Sequence, residues 1–511
     1  MGCATWLPRG VVAAVVATSI LMPSTSSATA DPIDPIAAAV AQLDGVVRGL
    51  MLRSGVPGAA VAVVHGDQVL YAKGFGVRVV STGAPVTADT VFQLASVSKP
   101  IGASVVAAAI GRGTLSWNDP VQQHLPWFAL DDPYVTSHVT VADMYAMRSG
   151  LPDAAGDLLE LIGYDRAQVL RRLRYVPLEP FRTSYAYSDF SLTTGAQAAA
   201  AASGWSWARL SQELLYTPLG MTSTSSTYAG FLAQPNRAAL HVPDSAGWAS
   251  RYVRNADAQS PAGGVSSSVV DLAAWLRMEL AGGVFAGQRV VAAEPLAEAN
   301  TAQIRRTPVT DPAVPPGFYG YGMNVDELSS GGMVLSHSGA FTAGGGTNVT
   351  LVPASDLGIV VLTNAHAGLA ESIAATFVDL AQTGTVSRDW WSLYSQVFST
   401  PYAADPAFAD AARPDQPVPA RPTADLVGRY ANDFYGTAVV VRRAGRLALV
   451  LGPHYVALPL DHWSGDRFKA TIAIENAPLD VWVDFAGAGT QASTVTLGLS
   501  DDATSLLTRV P

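Results

Sequence analysis

The spacing of apolar positions changes several times along this 511-residue chain. Ala38 to Leu52 repeats apolar residues at helical intervals and predicts a helix. Ala59 to Val64 and Val69 to Tyr71 read as two strands around His65-Gly66-Asp67, a hairpin signature. Lys99 to Gly111 is a stretch of small and apolar residues that suits a buried helix. Far downstream, Thr347 to Val352 and Gly358 to Leu362 are strand-like and separated by the turn former Pro353-Ala354-Ser355-Asp356. Hairpins at both ends with helices between predict an α+β domain whose sheet gathers its two termini.

The pattern changes again near the C-terminus. Thr400 to Pro422 is rich in Pro, Ala and Asp, a linker composition. Beyond it come short alternating runs: Ala438 to Arg442, Arg446 to Leu451, Tyr455 to Leu460, Phe468 to Ile472, Asp480 to Asp484 and Thr494 to Leu497. Gly, Pro and Asp punctuate them, so this part predicts an all-β sandwich or small barrel. The organisation expected is a signal peptide over 1–30, a first domain over 31–385, a connecting segment over 386–422 and a β-rich domain over 423–511.

The first 30 residues carry the marks of export. Arg9 precedes the apolar run Gly10 to Met22, which is too short to span a bilayer, and Ala28-Thr29-Ala30 offers small residues for cleavage. Cys3 is the only cysteine and would leave with that segment, so disulfides, a cysteine nucleophile and thiolate metal sites are excluded from the mature chain. No transmembrane helix is expected in the mature chain, and a secreted or periplasmic bacterial location follows. The net charge of −10 argues against nucleic-acid binding. Charged residues make up only 14% of the chain, and lysine is rare. It occurs at Lys73, Lys99 and Lys469, so a lysine at a chemically demanding position is less easily read as filler. The eight histidines show no metal-binding spacing, and no metal or cofactor is expected.

Three short motifs carry chemistry. In Ser96-Val97-Ser98-Lys99, a helix puts the hydroxyl and the amine on one face. A partly desolvated lysine can take the proton of such a serine. Tyr185-Ala186-Tyr187-Ser188-Asp189 offers a tyrosine able to move protons beside a cation. His337-Ser338-Gly339-Ala340 follows a strand-like run, Met333 to Leu335. Glycine there lets a substrate approach the backbone, and an N–H can stabilise an oxyanion.

Taken in this order, the motifs resemble those of penicillin-recognising serine hydrolases. The chain resembles the class C β-lactamase-like branch that also holds D,D-carboxypeptidases, D-aminopeptidases and esterases. Gly113 to Pro120, Val139 to Asp143 with Arg148 to Pro152, Pro218 to Met221 and Ala262 to Ser267 fit further segments of that family. The resemblance covers about residues 35 to 380, and the β-rich tail resembles the lipocalin-like domain of some members. It implies a β-lactamase/transpeptidase-like domain, an antiparallel sheet flanked by helices with a helical subdomain.

The resemblance also implies residue roles. Ser96 would be acylated, Lys99 would take its proton and Tyr187 would protonate the leaving group. The N–H groups of Ser96 and Ala340 would bind the oxyanion. His337 would stand where true β-lactamases carry lysine, and Gly339 would keep the strand open. Two positions depart from the family. Asp189 replaces an asparagine and either pairs with Lys99 or recognises a substrate ammonium. His337 titrates near neutrality instead of carrying a permanent charge. The activity implied is hydrolysis of a small peptide, amide or ester, including D-amino-acid and peptidoglycan-derived peptides, with weak or no β-lactam turnover; a β-lactamase is the alternative within this class. A different class of reading is an envelope binding protein that keeps the fold without useful catalysis. The substrate and the oligomeric state are not legible.

Overall fold

The computed structural model describes residues 34–245, 247–308, 315–328, 330–398, 413–443, 445–472, 478–498 and 503–511. The expected signal segment and most of the Pro/Ala-rich linker lie outside the described residues.

A nine-stranded antiparallel sheet organises the first part of the chain. Its order is Ile304–Arg305, Phe318–Tyr319, Asn324–Glu327, Met333–Ala340, Gly346–Val352, Leu357–Thr363, Gly58–His65, Gln68–Val79, Ala84–Pro85. The early hairpin and the late one meet at its centre, where Ala59 lies opposite Thr363 and His65 opposite Leu357. The sheet therefore gathers both ends of this segment, as the pattern predicts.

Alternation along the central strands sends side chains into two cores. Val61, Val63, Ile359 and Val361 face the helices Pro35–Ser54 and Leu369–Thr383. Ala60, Ala62, Val360 and Leu362 face the other side, with Ser98–Gly111 and Val269–Leu280. The Pro35–Ser54 helix is long and apolar enough to cross a membrane by composition, yet it buries Ile36, Ala39, Leu43 and Val47 in the protein core. The Ser98–Gly111 helix is buried along nearly its whole length, which explains its lack of an apolar stripe. Pro100 sits in its first turn, where no intrahelical N–H bond is lost.

The C-terminal part forms a second nine-stranded antiparallel sheet. It runs Val456–Pro459, Arg446–Leu451, Gly436–Arg443, Gly428–Asn432, Leu506–Val510, Thr494–Leu497, Leu479–Ala486, Arg467–Ile472, Asp461–Ser464. The two edge strands are separated in sequence by Leu460 alone, so the sheet curls into a nearly closed barrel. Three strands escape the sequence pattern: Gly428–Asn432, Asp461–Ser464 and Leu506–Val510. They are short, four or five residues each, and mix polar and apolar residues. Among the tail aromatics, Trp463 packs against Trp482 and His462 bonds the carbonyl of Gly465.

The barrel docks on the helical part of the first domain. Tyr164 Oη donates to the carbonyl of Tyr435 at 2.8 Å, and the His454 N–H donates to that of Ile162 at 3.2 Å.

One buried carboxylate ties together the loops that later matter for chemistry. Asp143 caps the helix Val141–Tyr145 with Thr140 in a reciprocal pair. It also accepts from Arg148 at 2.8 Å and from Arg182 at 2.8 Å. Arg148 opens the Ser149-Gly150-Leu151 turn, and Arg182 precedes the Tyr187 segment. The two guanidiniums hold the Asp143 carboxyl below its ordinary range against the opposing effect of burial, the largest single influence on it. Asp143→Ala is expected to cost about 3 kcal/mol of unfolding free energy, since it strips a buried network of its acceptor. Urea unfolding would measure it, and a loss below about 1 kcal/mol would contradict the role.

Candidate active site

Ser96 lies in a tight helical turn, Ala95–Val97, that runs directly into the Ser98–Gly111 helix. Ala95 has φ +48, a left-handed conformation unusual for a residue with a Cβ. The turn presents Ser96 beside the C-terminal end of the Met333–Ala340 strand. Thr347 anchors the turn, its hydroxyl donating to the carbonyl of Leu94 at 2.6 Å. Gly339 passes so close that a Cβ there would stand 2.2 Å from the Leu94 carbonyl oxygen and 2.9 Å from the Ser96 nitrogen. Only glycine lets the Met333–Ala340 strand lie against the serine turn. Ala340 is the last residue of that strand.

Lys99 is fully buried. Its Nζ meets three acceptors: Asp189 Oδ1 at 2.5 Å, Ser96 Oγ at 2.8 Å and the carbonyl oxygen of Ala262 at 3.2 Å. The first of these is an ion pair, and the other two are hydrogen bonds that the ammonium donates. The Tyr187 ring lies under the same nitrogen, 4.5 Å from its centroid. Burial pulls the lysine towards the neutral amine, but Asp189, followed by Tyr187, outweighs it, and the Lys99 pKa is raised. Burial also raises the Tyr187 phenol, more than Lys99 lowers it. At rest the cluster is an ammonium, a carboxylate, a neutral phenol and a serine hydroxyl.

Asp189 reaches this position because it opens the helix Asp189–Ser203, capped by Ser188, whose hydroxyl accepts from the Ser191 N–H at 3.1 Å. A carboxylate is favoured at that end of a helix. Tyr187 is held from both sides. Its carbonyl accepts from Ala154 N–H, and its own N–H donates to the Asp153 carboxylate.

His337 continues the strand-like run that precedes it. It lies within the strand, 4% exposed, with its ring centroid 6.3 Å from that of Tyr187. Both ring nitrogens are engaged, Nδ1 with the Ser338 carbonyl at 2.6 Å and Nε2 with Tyr319 Oη at 3.0 Å. Nδ1–H therefore donates and Nε2 accepts from the phenol. Burial, reinforced by the Lys99 charge, pulls its pKa down to about 3, so the titration near neutrality expected from sequence is corrected to a neutral ring.

Several neighbours have no sequence signal. Asp157 opens the short helix Asp157–Leu161 with a buried, unpartnered Oδ1. Burial first, then the charges of Asp189 and Glu160, push its carboxyl well above the usual range. Glu160 is paired with Arg254 at 2.6 Å and bonded by Gln259, and its carboxyl is also raised by burial. Behind the strand, Glu371 is pushed up to about 7 by burial, with the Ser338 hydroxyl as a partner. Among the described residues no group of His, Cys, Asp and Glu is arranged to hold a metal ion.

A strained serine turn, a lysine three residues on, a tyrosine and a strand closing on Gly339-Ala340 within a helix-flanked antiparallel sheet define a serine hydrolase of the β-lactamase and transpeptidase fold. Residues 43–383 match the family model described as Beta-lactamase, and the chain belongs to that family. Residues 412–506 match a second model, described as a domain of unknown function, DUF3471. The chain is 26% identical over 480 residues to Unguisins hydrolase ungD of Aspergillus violaceofuscus, covering 84% of this chain and 82% of the relative. It is 29% identical over 237 residues to Esterase EstB of Burkholderia gladioli, covering 42% of this chain and 59% of that protein. The fold is shared with the octameric penicillin-binding protein homologue from Pyrococcus abyssi, with a TM-score of 0.60, 20% identity and coverage of 92% and 99%.

If burial fixes the charge of His337 as described, its ring will stay neutral across the range where an ordinary histidine titrates, roughly pH 5 to 8. Histidine-selective NMR would follow it, and a midpoint near 6.5 would contradict the assignment.

Proposed function

We propose that the protein is an exported hydrolase that cleaves amide or ester bonds through an acyl-enzyme on Ser96. The observation that carries this reading is the 2.8 Å contact between Lys99 Nζ and Ser96 Oγ, with the Tyr187 ring centroid 4.5 Å from the same nitrogen. Ser96 Oγ attacks the substrate carbonyl while the N–H groups of Ser96 and Ala340 receive the oxyanion. The serine proton passes to Lys99, and Tyr187 protonates the departing nitrogen or oxygen. Water then releases the acyl group and restores the serine.

An ammonium cannot accept a proton, so the cluster must first lose one. In this reading Asp189 sets the pH at which that happens. A carboxylate 2.5 Å from Lys99 stabilises its charged form and delays the free base. The hydroxyl leaving group of an ester asks less of the acid than an amine does, and short-chain esters and D-amino-acid peptides are both candidate substrates. β-Lactams are expected to turn over weakly, because His337 is neutral and both its nitrogens are occupied. The similarity to a protein named an esterase and to one named a hydrolase supports the class. A second reading, a binding protein with little catalysis, draws on the same Lys99–Asp189 pair.

Intact mass of the protein recovered from the secreted or periplasmic fraction tests export and acylation together. The expected result is a chain beginning at Asp31 that gains one adduct with a fluorophosphonate, lost in Ser96→Ala. An unlabelled wild type would favour the binding protein. Asp189→Asn removes the charge that keeps Lys99 protonated, so its pKa falls and the acid limb of kcat/KM moves to lower pH by roughly 1–3 units. A limb that stays in place would contradict the role of Asp189.

A further inference from the structure

Glu160 belongs to the short helix Asp157–Leu161, and its side chain is only 6% exposed. Its Oε2 takes two donors, Arg254 Nη2 at 2.6 Å and Gln259 Nε2. Its Oε1 is enclosed without a partner. A buried ion pair of this kind is weak evidence for stability, and an unbonded buried oxygen adds a cost. Folding stability is therefore a poor account of the arrangement. Its two donors offer a better one, because each is attached to a different part of the reaction centre.

Gln259 directly precedes the turn Ser260–Gly263, whose Ala262 carbonyl accepts from Lys99 Nζ at 3.2 Å. The chain just before it is clamped as well. Arg166 donates to the carbonyls of Asp257 at 2.7 Å and Ala258 at 2.9 Å. Arg254 leads to the serine and to the strand beside it. Its own carbonyl accepts from Gln93 Nε2 at 2.8 Å, in the strand Phe92–Gln93 that runs into the serine turn. Its guanidinium carbon lies 5.6 Å from the centroid of the Phe341 ring. Phe341 directly follows Ala340, the last residue of the Met333–Ala340 strand. A single carboxylate oxygen thus stands behind the lysine's carbonyl partner, the approach to the serine and the end of the strand.

We propose that Glu160, acting through Arg254 and Gln259, is a positioning residue of the reaction centre. It fixes the Ala262 carbonyl on Lys99 and the Ala340–Phe341 end of the strand relative to Ser96. Its part in catalysis rests on the acyl-enzyme reading of Ser96. Glu160 itself touches neither the serine nor the substrate, so its loss misplaces the reacting groups and leaves the binding surface in place.

Glu160→Gln keeps the length and one acceptor oxygen but removes the charge that holds Arg254. With a p-nitrophenyl ester, kcat is expected to fall about tenfold and KM to change by no more than about twofold, since an ångström of misplacement can cost up to about a hundredfold. Arg254→Met should lose a similar factor, and the double variant no more than either alone, because the pair acts as one unit. Urea unfolding separates positioning from folding. Each single variant strands a buried partner and loses stability. The double variant leaves no charge unpaired and should regain most of that stability, but not kcat. Losses in kcat that add, or a kcat that returns together with stability, would overturn the proposal. Selective ¹⁵Nζ labelling needs no turnover: in Glu160→Gln the Lys99 resonance should move while those of Lys73 and Lys469 stay in place. An unmoved Lys99 resonance would also overturn the proposal. A wild type that turns over no ester would count against the acyl-enzyme reading alone, and the Lys99 resonance would then decide whether Glu160 positions the cluster.

Discussion

The burial of one positive charge organises the centre of this protein. Lys99 has no exposed surface, and an isolated ammonium in such a place would give up its proton or its position. It keeps both because three oxygens surround it, from Asp189, Ser96 and Ala262. Each oxygen belongs to a different segment, so the arrangement exists only when the serine turn, the Asp189–Ser203 helix and the turn Ser260–Gly263 are all in place. The same burial that makes the lysine chemically useful makes it dependent on its partners. A neutral residue at 189 would remove the nearest of those compensating charges.

The rest of the domain holds these segments in register. The sheet supplies a rigid support, and Thr347 and Gly339, on two neighbouring interior strands, meet the serine turn. Strain at Ala95 is tolerated because the surrounding contacts fix it, and left-handed strain of this kind is of the order of 1–3 kcal/mol. Asp143 joins the Arg148 loop to the Arg182 loop, and so positions Tyr187 and Asp189 from behind. Asp157, Glu160 and Arg254 extend the polar interior away from the serine towards the barrel. The domain of unknown function thereby sits within a few bonded steps of the reaction centre.

Elements with a clean period were legible before the structure. The two hairpins, the first helix and the buried helix after Ser96 follow directly from apolar spacing. Ser96, Lys99, Tyr187 and Asp189 could be singled out because motif and spacing point to them, and the structure brings all four together. His337 was found but its state was not, since a histidine's charge depends on burial and partners that spacing does not encode. The carbonyl of Ala262 has no side-chain signature at all, being a backbone oxygen 163 residues from the lysine it binds. Asp157 and Glu160 belong to no motif in the sequence. Only the tertiary fold encloses them.

The rarity of lysine offers the most direct test of the central claim. With Lys73 and Lys469 as the other two, selective ¹⁵Nζ labelling gives a spectrum simple enough to assign. The account predicts that at neutral pH the Lys99 nitrogen resonates as an ammonium whose protons are protected from exchange with solvent. A Lys99 resonance already at the neutral-amine position at pH 7 would contradict it.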